Sequence, residues 1–308
     1  MTHDVVVVGS ANADLVVQVP RRPGGGETLL GGDLHLLPGG KGANQAAAAG
    51  RCGADVAFLG CIGDDANGGF LRAQLAAAGV DTSMLGTVER PSGTAIIFLT
   101  PDGENSIVVS PGANHAFDLA EAERTSSVWS HARVVVLSLE IPHETAFAVA
   151  QRAAAAGVRV ILNAAPATRL DVDTLRACDP LIVNEHEALE ALGLDAADPD
   201  AENYPRLAER LLAAGARSVV ITLGGDGAVV VDTEGVTAVP AYRVEAVDTT
   251  GAGDAFVGAV AGELAAGADL RDAVRFATAV SAVSVQRVGA QASYADRAEI
   301  EAFIAAQA

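Results

Sequence analysis

The chain has 308 residues, half of them hydrophobic, with 39 Asp and Glu against 20 Lys and Arg for a formal net charge of −19. That length and apolar content suit one large α/β domain with an appendage, while the negative field disfavours nucleic acid and anionic membrane as partners. Three scattered cysteines (Cys52, Cys61, Cys178), no zinc spacing among six histidines, no signal-peptide pattern at Met1–Asp4 and no clean bilayer-length apolar stretch make a cytoplasmic location the expectation.

Short β-branched runs alternate with Ala- and Leu-rich runs along the chain. The first strand is predicted at Val5–Gly9. A Gly-rich, strand-like stretch follows at Leu15–Leu37, turning through Arg21–Gly26, and then a helix at Gly42–Ala49. A strand at Val56–Leu59 and a helix at Gly68–Ala78 come next. Thr94–Thr100 and Asn105–Ser110 flank Pro101-Asp102-Gly103-Glu104, which is hairpin punctuation. Strands at Val134–Leu139, Val158–Leu162 and Leu181–Val183 alternate with helices at Glu144–Ala156 and Glu185–Leu192. Helix Tyr204–Ala214, strands Val219–Leu223 and Ala228–Val231, and helices Ala255–Ala265 and Leu270–Val285 complete the pattern. The alternation predicts an α/β fold: one domain over residues 1–308, with a mainly parallel sheet flanked by helices. The helix-poor segments, about 14–37 and 93–111, predict a small inserted β-sheet able to close over a site as a lid. Its apolar residues need a cover, which points to a homodimer.

Residues 248–256 read Asp-Thr-Thr-Gly-Ala-Gly-Asp-Ala-Phe. The small loop Gly251-Ala252-Gly253 opens a helix, where unpaired backbone N–H groups and the helix dipole attract anions. A carboxylate placed there, Asp254, fits a general base beside a phosphoryl cradle, although an acidic first turn also serves the dipole alone. Gly39-Gly40-Lys41-Gly42-Ala43-Asn44-Gln45 lacks the spacing of a Walker A loop. Its glycines admit a ligand to the backbone, and Lys41 and Asn44 offer the directional polar groups a polyol needs; a glycine turn with a solvated Lys reads the same. Asn12 and Asp14, just past the first strand, can grip vicinal hydroxyls or be turn residues. Glu140 closes an apolar strand at the same ligand edge. Asn184 and Glu187 lie one helical turn apart and suit phosphate or water-mediated Mg²⁺, but also a plain helix cap. Thr222-Leu223-Gly224-Gly225-Asp226-Gly227 fits a nucleotide-lining loop or a simple hairpin turn.

Together these residues, with Asp102-Gly103-Glu104-Asn105 and Pro111-Gly112-Ala113-Asn114, resemble the ribokinase family of carbohydrate kinases (the PfkB family) along nearly the whole chain. The resemblance implies an ATP-dependent sugar kinase that converts D-ribose to ribose 5-phosphate. By position, Asn12, Asp14, Gly40, Lys41, Asn44 and Glu140 would hold the sugar and Asp254 would be the base. Gly251, Ala252 and Gly253 would offer amides to the transferring phosphoryl group. Asn184 and Glu187 would support Mg²⁺ and phosphate, while Thr222, Gly224, Gly225, Gly227, Gly253 and Thr278 would line the nucleotide. A K⁺ activator site would map to Asp248, Thr250, Ser284, Arg287, Gly289 and Ser293, several through carbonyls. Thr278 stands where some relatives carry His or Asn near adenine, and Arg21–Gly26 is unusually glycine-rich.

Overall fold

The computed structural model describes residues 3–101 and 105–307. Asp102, Gly103 and Glu104, the centre of the hairpin punctuation, lie outside the described residues.

A nine-stranded sheet runs, from one edge to the other, Gly235–Val239, Ala228–Asp232, Val219–Thr222, Cys178–Asn184, Arg159–Asn163, Val134–Ser138, Val5–Val8, Val56–Leu59 and Val80–Asp81. All pairs from Val80–Asp81 through Val219–Thr222 are parallel, and the remaining edge pairs are antiparallel. Helices cover both faces, so the central strands are apolar at every position instead of alternating. Val5 and Val7 join the core beneath helices Lys41–Arg51, Ala252–Ala265 and Leu270–Ser284, whereas Val6 and Val8 join the core beneath His143–Ala155, Glu185–Leu192 and Tyr204–Ala214. Burying this surface at about 25 cal/mol per Å² is the main force holding the layers together.

Helices Lys41–Arg51 and Ala252–Ala265 pack against each other through small residues. A Cβ on Gly258 would lie 2.3 Å from the Gln45 carbonyl oxygen and 2.7 Å from Ala48 Cβ, so only glycine permits this approach. The contact matters for function because it sets Asn44 and Gln45 against the start of the second helix.

A second sheet has the order Leu34–Gly39, Asn12–Gln18, Gly93–Leu99, Asn105–Ser110. It is mixed: Asn12–Gln18 is antiparallel to Leu34–Gly39 and parallel to Gly93–Leu99. Asn12 and Asp14, expected just past the first strand as a hydroxyl-gripping pair or as turn residues, are among the opening residues of this sheet, because the chain re-enters extended structure almost at once after Gly9. A further difference from expectation is at the Gly251–Gly253 loop, where the helix begins at Ala252 and not Ala255. Short elements at Cys61–Gly63, Gly86–Val88, Leu119–Arg124 and Val172–Ala177, and the terminal helix Arg297–Gln307, escape the sequence pattern. The first four span less than two helical turns or a few strand residues, too little for a period to register.

Candidate active site

The site starts from the helix at Ala252–Ala265. Gly251 is its N-cap with φ +75°, a left-handed conformation that glycine adopts without strain. Its carbonyl accepts from Ala255 N at 2.8 Å and from the Tyr294 hydroxyl at 2.9 Å. Ser281 Oγ donates to the Ala252 carbonyl at 2.9 Å. Asp248 braces the loop from the other side, accepting from Thr250 N at 2.9 Å and Gly289 N at 2.8 Å. Of the amides expected to face an anion, that of Ala252 already donates to the Thr249 carbonyl at 3.2 Å. Those of Gly251 and Gly253 have no hydrogen-bond partner among the described residues.

Asp254 sits in the first turn, buried, and both its carboxylate oxygens are engaged. Asn44 Nδ2 donates to Oδ2 at 2.9 Å and Gln45 Nε2 to Oδ1 at 3.1 Å. Burial pushes its pKa above the usual carboxylate range, against the pull of Lys41 and of these two amides. Around it lie the other polar groups expected to meet a sugar. Glu140 Oε2 accepts from Ser10 Oγ at 2.6 Å and from the Lys41 amide at 3.0 Å, which ties the sheet edge to the start of helix Lys41–Arg51. Gly40, with φ +86°, is that helix's N-cap. The Lys41 ammonium is disfavoured by burial, but Asp254, Glu140 and Glu187 outweigh this and hold its pKa above the ordinary value. Asp14 is pushed up to about 7 by burial, then by the charges of Glu140 and Asp254. Its Oδ1 is buried without a partner among the described residues, which leaves it free to accept from a ligand hydroxyl. Asn12 Oδ1 accepts from Asn114 Nδ2 at 2.7 Å, and Asn114 Oδ1 accepts from Ala11 N at 2.9 Å.

Two cavities meet at this point. The smaller, about 160 Å³, is lined by Lys41, Asn163, Asn184, Glu187, Gly251, Gly253 and Asp254 among others. The larger, about 300 Å³, is lined by Thr222, Gly224, Gly225, Gly227, Tyr242, Phe256, Thr278 and Ser281 among others. Thr222 and Gly253 border both. The loop after Val219–Thr222 is therefore a hairpin turn and a cavity wall at once. Thr278 is buried, its hydroxyl donating to the Arg275 carbonyl at 2.8 Å. Asn184 and Glu187 form a full capping box, Asn184 Oδ1 accepting from Glu187 N at 2.8 Å and Glu187 Oε2 from Asn184 N at 2.9 Å. The cap and the cavity wall thus use the same side chains, and burial raises the Glu187 pKa.

The residues expected to hold a monovalent cation are brought near the anion loop, with their side chains already occupied. Both Asp248 oxygens accept amides. Ser284 Oγ donates to the Ser281 carbonyl at 2.9 Å and Ser293 Oγ to the Ala290 carbonyl at 2.7 Å. Arg287 pairs with Glu299. Among the described residues no group of three His, Cys, Asp or Glu could hold a metal, so a cation here would rest mainly on carbonyls. Sequence reasoning did not single out Ser10, Gln45, Asn163, Ser281, Gln291 or Tyr294 as parts of the site. Gln45 closes the Gly39–Gln45 motif, where no role was assigned to it; Tyr294 offered no signal.

The chain and its fold have clear relatives. Residues 2–297 match the family model for pfkB family carbohydrate kinases. The chain is 41% identical over 309 residues to the ribokinase of Schizosaccharomyces pombe, covering 97% of this chain and 96% of that one. It superposes on the structure of Arabidopsis thaliana ribokinase complexed with ribose and ATP with a TM-score of 0.91 at 32% identity, covering 99% of each chain. The ribokinase of Thermotoga maritima gives a TM-score of 0.90 at 35% identity over 98% of this chain and 99% of that one. The match over residues 2–297 and the full-length similarity to ribokinases make the chain a member of the pfkB family of carbohydrate kinases.

Proposed function

We propose that the chain is a ribokinase, transferring the γ-phosphoryl group of ATP to the 5-hydroxyl of D-ribose and releasing ADP. The observation that carries this reading is Asp254: a buried carboxylate at an unsatisfied helix start, bordering one cavity and flanked by Asp14, Lys41, Asn44 and Glu140. The full-length similarity to ribokinases supports the choice of sugar.

In this reading the nucleotide base and ribose occupy the larger cavity and the phosphates reach past Thr222 and Gly253 into the smaller. Asn12, Asp14, Gly40, Lys41, Asn44 and Glu140 bind the sugar. Asp254 orients the 5-hydroxyl in line with the γ-phosphorus and takes its proton as the new P–O bond forms and the bond to ADP breaks. The Gly251 and Gly253 amides stabilise charge on the transferring group, in a site that closure of the small sheet as a lid would strip of water. Mg²⁺ bound with ATP would be supported by Asn184 and Glu187, whose capping box leaves one Glu187 oxygen for a hydrated ion, and would neutralise phosphate charge. A K⁺ held by carbonyls among Thr250, Ser284, Arg287, Gly289 and Ser293, beside Asp248, would lend positive charge to the loop in a chain of net charge −19. The enzyme would act in the cytoplasm as a homodimer joined through the small sheet.

A coupled ADP-release assay over ribose, deoxyribose, ketoses and nucleosides, with and without K⁺, tests the reading. The highest kcat/KM is expected on D-ribose; a higher value on another acceptor overturns the substrate, and sugar binding without ADP release overturns the activity.

A further inference from the structure

Gln45 Nε2 donates to Asp254 Oδ1 at 3.1 Å and also to Asn163 Oδ1 at 3.0 Å. Asn163 Nδ2 donates in turn to the Ile182 carbonyl at 3.1 Å. On the other side of the carboxylate, Asn44 Nδ2 donates to Oδ2, and Asn44 Oδ1 accepts from Gln291 Nε2 at 3.0 Å. Each oxygen of Asp254 is thus held by an amide, and each amide by a second one.

The direction of this chain is physically determined. The Ile182 carbonyl can only accept, so Asn163 must turn its NH₂ toward it and its oxygen toward Gln45. Facing that oxygen, Gln45 must present its NH₂, and its remaining N–H then meets Asp254. A main-chain carbonyl on the strand Cys178–Asn184 therefore dictates that the base receives a donor. Gln45 is 0% exposed, and its Oε1 is buried with no partner among the described residues. An unsatisfied buried amide oxygen is a net cost to folding, which an apolar side chain at this helix position would avoid. The asset that offsets it is the bond to Asp254.

We propose that Gln45 and Asn163 are positioning residues for phosphoryl transfer: they pin Oδ1 of Asp254 so that the carboxylate keeps its plane while Oδ2 exchanges Asn44 for the acceptor hydroxyl. This rests on the kinase reading above. Asn44 is wanted both by the sugar and by Oδ2, so its grip must loosen when substrate arrives. Gln45 makes no such exchange, because it is enclosed between the two packed helices and the sheet.

The test reads kcat at saturating sugar and ATP across pH, where the profile reports the base in the ternary complex. The charged or titratable groups facing Asp254 are Lys41 on its neighbouring helix, Asp14 on the second sheet, Glu140 just past the central strand Val134–Ser138, Glu187 on helix Glu185–Leu192, and Tyr294. None is removed by the substitutions below. Gln45→Met, close in shape but unable to donate, is expected to lower kcat about 10- to 100-fold near neutral pH, move its acid limb upward, and leave sugar KM within about threefold. Asn163→Ala, which keeps Gln45 but frees its amide to rotate, is expected to show the same signature to a smaller degree. A merely structural role would lower kcat without moving the limb. An unmoved acid limb, or a kcat within about threefold of the unsubstituted protein, overturns the proposal. Thermal melts accompany both variants, and Asn163→Ala decides alone if Gln45→Met does not fold. Turnover by the unsubstituted protein separates the two ideas. If it phosphorylates no sugar, the kinase reading falls; if it does and both variants match it, only the positioning role falls.

Discussion

At the scale of single residues, the proposed chemistry assigns different tasks to two carboxylates, Asp254 buried and Asp14 half-buried. Asp254→Asn removes the proton acceptor but keeps the side-chain volume and one hydrogen-bond acceptor. It is expected to reduce kcat by about 10²- to 10⁴-fold, with calorimetric ribose affinity little changed. Near-normal turnover would remove Asp254 from the role of base. Asp14 has a folded pKa raised from 3.8 to about 7. Its sign follows from linkage: the raised acid adds stability that is full below pH 3.8 and is lost as pH climbs through about 7. In the sugar-free protein at pH 8, Asp14→Asn is therefore expected to raise the Tm. Sugar binding runs the opposite way, since its hydroxyls donate to the ionised form. KM for ribose is expected to rise as pH falls below about 7, approaching tenfold per pH unit, and Asp14→Asn is expected to flatten that dependence. A KM for the unsubstituted protein that stays level from pH 8 down to about 5.5 would show that Asp14 does not grip the sugar as a carboxylate.

At the scale of elements, the decisive piece is the glycine-capped start of helix Ala252–Ala265. An alanine at Gly251 would have to hold φ near +75° and place its Cβ 2.6 Å from Ala290 Cβ and 2.7 Å from the Tyr294 hydroxyl. Gly251→Ala is expected to cost about 1–3 kcal/mol in chemical denaturation. It should also cost at least about tenfold in kcat, because the free amides shift from the phosphoryl path. Full activity in a destabilised variant would show that the loop positions nothing. Much of this element is legible in the sequence, because a small-residue loop running into a helix has few physical uses. Its first turn is less so: Gly253 and Asp254 read as loop until the left-handed cap at Gly251 shows that the helix has already begun. Asn184 and Glu187 show the reverse limit, since a perfect capping box and a ligand-facing pair have the same spacing.

At the scale of the whole molecule, the second sheet carries the question of assembly. Leu36, Leu15, Ile96 and Val108 stand in register across its four strands. Leu36 is 42%, Ile96 41% and Val108 60% exposed in the single chain, an apolar row that water solvates poorly. If the proposed homodimer forms through this face, Val108→Lys is expected to give a monomer in sedimentation or light scattering while leaving the fold intact by circular dichroism. A protein that is already monomeric before substitution would dispose of the dimer. The alternation of strands and helices, the inserted sheet, the small-residue loop opening a helix and the family were all readable from the order of residue types, because periodicity and turn chemistry are local. The tertiary structure decided which groups meet. Gln45 and Asp254 are separated by 209 residues, and Tyr294 reaches Gly251 from 43 residues away. The Gln45–Asp254 contact depends on two helices approaching closely enough to exclude any side chain at Gly258. The charge state of Asp14 is equally non-local, since desolvation belongs to the packed molecule and not to the chain.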